Sequence, residues 1–89
     1  MSRQPDFLPL SEDAAHAVFG PGGRHAALIE DAFKVLIETP GGGVSVQGDA
    51  RGRSQAKRAI EAIAALVSSG AEVSEADIRV AVGEARPAA

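Results

Sequence analysis

The residues best suited to chemistry run from position 19 to 25, Phe19-Gly20-Pro21-Gly22-Gly23-Arg24-His25, and the chemistry they suit is holding an anion. Gly20, Gly22 and Gly23 let the backbone turn where a side chain would collide, and Pro21 fixes one φ angle while removing one amide donor. The chain then re-enters a helix whose first amides lack an internal acceptor, and a helix N-terminus beside a glycine loop is a place where a phosphate can sit. Arg24 adds a positive charge. The other use of the same residues is a tight turn between two helices, in which the glycines serve geometry alone.

Other chemistry has less to work with. His16 and His25 are nine residues apart in sequence, no carboxylates are arranged around them as a ligand set, and the chain has no cysteine, so no metal site is expected. Ser11, Ser45, Ser54, Ser68, Ser69 and Ser74 are accounted for by cap, strand and loop positions, without a histidine and an orienting acid at a spacing that would make a nucleophile. Glu30, Asp31 and Glu38 fit exposed helix and strand positions better than an acid–base pair. The reading is therefore of a chain with no catalytic residues and no cofactor. A second basic strip, Arg51, Arg53, Lys57 and Arg58, contains no acid. It is either a further set of phosphate contacts or a solvated face near the start of a helix, where positive charge opposes the helix dipole slightly.

These residues must be positioned by a small scaffold. The chain has 89 residues, 45% hydrophobic and 24% charged, with Phe7, Phe19 and Phe33 as its aromatics. That suits one small soluble domain with a thin, alanine-rich core. A formal charge of -3 argues against a protein that coats nucleic acid by bulk electrostatics, but local basic strips leave room for weak binding over a short footprint. The absence of cysteine suits a reducing compartment, no apolar run approaches the roughly 20 residues of a membrane span, and Met1-Ser2-Arg3-Gln4-Pro5 leads into no signal-type block. The expected location is cytoplasmic.

The elements follow from local signals. Residues 1–5 read as a flexible tail and 86–89 as a frayed end, with a single domain between them over 6–85. Phe7-Leu8-Pro9-Leu10 reads as an edge strand, because Pro9 cannot donate to a ladder. Ser11 caps a two-turn helix ending at Gly20, and a second helix runs from about Arg24 to Lys34 with Leu28, Ile29, Ala32 and Phe33 on one face. Val35–Thr39 and Val44–Gln47 form a β-hairpin around Pro40–Gly43, with Val35, Ile37, Val44 and Val46 facing the core. Asp49 caps a third helix of about twenty residues that stops at Gly70. Ser74-Glu75-Ala76-Asp77 has the form of a capping box and opens a fourth.

The order strand, helix, glycine hinge, helix, strand, strand, helix resembles a type I KH domain. Val18-Phe19-Gly20-Pro21-Gly22-Gly23-Arg24, then Ile29, then Val35-Leu36-Ile37, is similar to the KH pattern of two apolar residues, G-x-x-G, a basic residue, a mid-helix isoleucine and a strand. More narrowly, Leu28-Ile29-Glu30, the hairpin, the alanine-rich helix and Val73–Ile78 after Gly70 resemble the KH-like N-terminal domain of bacterial PhoH-like proteins. The chain departs from the pattern at Pro21 and Gly22, where nucleic-acid-binding KH loops commonly carry a basic residue. The resemblance implies an α+β fold of β-α-α-β-β-α order, a three-stranded sheet with helices on one face, and here one additional C-terminal helix.

It also implies a function. A KH loop clamps about four nucleotides by their backbone, so Gly20, Pro21, Gly22, Gly23, Arg24 and His25 would hold short single-stranded RNA weakly, with Phe19 and Leu36 as the exposed apolar contacts. In the PhoH-like family such a domain precedes an ATPase domain with a P-loop, for which this one would be a targeting arm. No G-x-x-x-x-G-K-[ST] occurs in this chain, so any ATPase activity would lie elsewhere. The alternative is a protein-interaction or assembly module of the same fold that binds no nucleic acid and docks on the ATPase domain, another copy or another protein.

Overall fold

Capping chemistry sets where three of the four helices begin. The Ser11 hydroxyl accepts the Ala14 amide at 3.1 Å and opens α1 (Glu12–Phe19), with Glu12 and Asp13 at the positive end of its dipole. Asp49 does the same for α3 (Ala50–Ser68) through the Gly52 amide at 2.9 Å. Ser74 and Asp77 make a reciprocal box at the head of α4 (Glu75–Ala85). The exception is α2 (Arg24–Phe33), which starts at Gly23 with no side-chain cap, directly out of a 3-10 turn over Pro21–Gly23. The computed structural model describes residues 5–86; apart from Pro5 and Arg86, the tail expected at 1–5 and the frayed end expected at 86–89 lie outside them.

Three strands, β1 (Asp6–Pro9), β2 (Leu36–Glu38) and β3 (Gly43–Gln47), form an antiparallel sheet in the order β1-β3-β2. Leu8 pairs with Val44 and Ile37 with Val46, which puts all four on the buried face. Helices α1, α2 and α3 pack on that face, and α4 packs on α2 and α3. Among the described residues no helix covers the other face, which is bare, and Phe7 and Leu36 are half exposed on it. Val18, Ile29, Ile60, Ile63 and Ile78 are fully buried between the layers, each contributing about 1.5–3 kcal/mol of apolar burial. The fold is α+β.

The structure revises the hairpin at both ends. Val35 is buried as expected but precedes β2, because Lys34 turns left-handed (φ 56) to end α2 and the Val35 amide donates to the Glu30 carbonyl at 3.3 Å. An amide used to close a helix is lost to the strand. At the other end Gly43, expected in the loop, is the first residue of β3, opposite Pro9. No helix among the described residues is long and apolar enough to cross a membrane.

Candidate nucleic-acid interface

Pro21 decides how α1 ends. The carbonyl of Ala17 would take its helical hydrogen bond from the amide four residues on, which is Pro21 and has no N–H. His25 supplies the missing donor. Its Nδ1 lies 2.8 Å from the Ala17 oxygen, and the residue is 5% exposed, its ring packed beneath Gly20. A carbonyl only accepts, so Nδ1 carries the proton. The sequence reading put His25 on the binding surface. The structure puts it under the loop, where it holds the turn.

Above this support the loop is open. Gly20, with φ 76 and ψ 176, occupies a region that only glycine enters without strain, and a Cβ there would run into the His25 ring. Gly22, at φ 62, has nothing near the position a Cβ would take, and it is exposed together with Pro21. The Gly23 amide donates to the Gly20 carbonyl at 3.1 Å and the Arg24 amide to that of Pro21. The 3-10 turn thus uses two of the amides that the sequence reading offered to a ligand. What faces outward is the Gly22 backbone, the uncapped start of α2 and two side chains.

Those side chains are Phe19 and Arg24. Phe19, 38% exposed, leans its ring across Gly23 and borders a groove with Glu12, Ala15 and His16 of α1 on one wall and Thr39 and Gly41–Gly43 on the other. Arg24 is turned toward α4, its Nε 3.1 Å from a carboxylate oxygen of Glu75. The other oxygen of Glu75 accepts from Arg79 at 3.0 Å. The Arg79 hydrogen bond first, and then the nearby charge of Arg24, hold the Glu75 carboxyl below its ordinary 4.5 against an opposing desolvation.

No protein-family model and no curated protein matches the chain. A solved structure does. It is a 1.5 Å crystal structure of a protein of unknown function from Aeropyrum pernix, similar over 94% of this chain with a TM-score of 0.66 and 18% identity. This chain spans about half of that protein, 48% of its length. At that identity the likeness concerns the fold.

The remaining sequence candidates lie apart from the loop. Leu36 stands on β2 opposite Gln47, on the bare face of the sheet, and does not line the Phe19 groove. The basic strip divides in two. Arg53 and Lys57 both approach Asp6 of β1, each at 3.8 Å, whereas Arg51 and Arg58 face a shallow depression with Ser54, Gln55 and Ala85. Gly20 and Pro21 adjoin the other end of α3, near Val67 and Gly70, and Arg58 is nine residues, about 14 Å of helix, from Val67. Two residues beside the loop escaped the sequence reading, Glu75 and Arg79. The capping box places Glu75 at an N-terminal helix position, and its i,i+4 spacing to Arg79 is a signal from which their ion pair could have been read. Nothing in the sequence brings that pair to Arg24. Among the described residues no group of three or more histidine or acidic side chains is placed to hold a metal ion.

Proposed function

We propose that this chain is a KH-like module, similar to the N-terminal domain of PhoH-like proteins, that binds short single-stranded RNA weakly through the loop Gly20–Arg24. The observation that carries the reading is the loop itself: a G-x-x-G turn braced from below by His25, open at Gly22, set at the uncapped start of α2 and followed by Arg24. A strand would lay its phosphates along Gly22 and the start of α2 and turn its bases toward Phe19 and the groove running to Gly41–Gly43. The platform is small. Phe19 is the one aromatic beside the loop, and stacking contributes about 1–3 kcal/mol per base, so affinity is low. Whether the module serves a P-loop ATPase domain is part of the same proposal.

Gly22→Asp tests it. The left-handed backbone at Gly22 is one that aspartate tolerates, and the space around it is open, so the variant keeps the fold while setting a carboxylate where a phosphate would lie. In an amide-resolved NMR titration with a mixed pool of short RNA oligonucleotides, the signals of residues 19–26 shift in the parent chain and stay fixed in the variant. Unmoved signals in the parent, or equal binding by the variant, overturn the reading.

One observation favours the second reading, a protein-interaction module: the bare sheet face carries two half-exposed apolar side chains, Phe7 and Leu36. Sedimentation over a concentration series separates the two, because self-association raises the measured mass and weak RNA binding alone does not.

A further inference from the structure

Arg24 and Arg79 come from different helices and grip the two oxygens of one carboxylate, Arg24 Nε at 3.1 Å on one and an Arg79 terminal nitrogen at 3.0 Å on the other. Two guanidiniums converging on a pair of oxygens is the arrangement by which arginines bind phosphate. Here the anion is the chain's own Glu75. We propose that Arg24 and Arg79 form a phosphate-contacting pair beside the G-x-x-G loop and that Glu75 is its built-in occupant, displaced when a strand binds. This rests on the reading of the loop as a single-stranded RNA site and adds Arg79 and Glu75 to it.

Placement and exposure both suit such an exchange. Arg24 directly follows the loop, so a phosphate that leaves Gly22 meets it next. The three side chains stay in water, with 73% of Arg24, 63% of Arg79 and 38% of Glu75 exposed. Ion pairs at that exposure are weak and readily exchanged, whereas a strand brings a line of charges that one carboxylate cannot match. From Arg79 a groove continues between α2 and α4 to Arg86, lined by Leu28, Ala32, Val82 and Gly83 with Asp31 as its acid. Arg86 directly follows the end of α4, so it stands about 10 Å along the helix axis from Arg79, which suits an extended polyanion better than a lone phosphate. Until it is displaced, Glu75 neutralises charge that would otherwise attract any anion, so the site discriminates in favour of ligands that also engage the loop.

The test is fluorescence anisotropy with a labelled pool of short single-stranded RNA of randomised sequence, on the full chain, with circular dichroism confirming that each variant folds. Glu75→Gln keeps the shape and removes the charge. It tightens binding about two- to fivefold, the factor that freeing an exposed ion pair of this kind yields, and steepens the dependence of log affinity on log salt by about 0.7 for the extra phosphate neutralised. Glu84→Gln makes the same change of net charge farther along α4, and its effect stays well below that of Glu75→Gln. Adding Arg79→Ala to Glu75→Gln cancels the gain. If Glu75→Gln binds no tighter than Glu84→Gln, or if the gain survives Arg79→Ala, the inference is overturned while the loop reading stands on the Gly22→Asp result. If neither the parent nor Glu75→Gln binds RNA, both fall.

Discussion

The imidazole of His25 fills the space in which a side chain on Gly20 would have to sit, so the two residues specify each other. Gly20→Ala forces the ring aside or opens the turn, and it places a Cβ on a backbone that only glycine adopts freely. Overpacking costs about 1–3 kcal/mol and the backbone strain a similar amount. The expected loss is about 3 kcal/mol. Gly22→Ala, two residues away, meets open space and loses about 1 kcal/mol for the left-handed conformation alone. Urea unfolding of the two variants checks the ranking, which a loop of merely flexible glycines would not produce.

A second brace ties α2 to the edge of the sheet. The amide of Ile37, on edge strand β2, donates to the Glu30 carboxylate at 2.8 Å. Glu30→Ala leaves that amide without its acceptor and costs about 2 kcal/mol, in the range for hydrogen bonds to charged groups. Glu30→Gln keeps an oxygen in place and loses about half as much. Hydrogen exchange at the Ile37 amide is the direct readout: fast in the alanine variant, intermediate in the glutamine variant, slow in the parent.

How much of this was legible in the sequence depended on how local the cause was. Ser11, Asp49 and Ser74 announced their helices because a cap and the amide it serves are three residues apart. The alternation of Val44, Ser45, Val46 and Gln47 gave the faces of β3. The hairpin boundaries slipped by a residue at Val35, Thr39 and Gly43; a helix C-cap decides the first and the approach of β1 the last. The loop was legible as a loop, its underside was not. That Pro21 deprives Ala17 of a donor could be counted off the sequence, but that His25 would replace it needs the turn in three dimensions. The division of the strip into a pair on Asp6 and a pair facing Ala85 follows from the packing of α3 between the sheet and α4. The meeting of Arg24 with Glu75 joins residues about fifty positions apart and left no local trace.

The capping box of α4 makes stability depend on acid. The Asp77 carboxylate accepts from the Ser74 amide at 2.9 Å and from its hydroxyl at 3.0 Å, and these bonds, the backbone one first, hold its carboxyl below the ordinary 3.8. Glu75, two residues earlier, is also depressed below its ordinary 4.5. A carboxyl whose pKa is lower in the folded chain than in the unfolded one stabilises the fold above the unfolded value and stops doing so as pH falls through the folded value. Stability contributed by these two groups is therefore level from neutral pH down to about 5 and declines below 4.5, through 3.8 and beyond. Asp77→Asn removes one of them. Urea midpoints of the variant lie below those of the parent at neutral pH, and the gap narrows as the solution is acidified past the ordinary aspartate range, because protonation takes from the parent what the substitution has already taken from the variant. A gap that held constant down to the lowest pH would mean that Asp77 acts through the packing of its side chain and not through its charge.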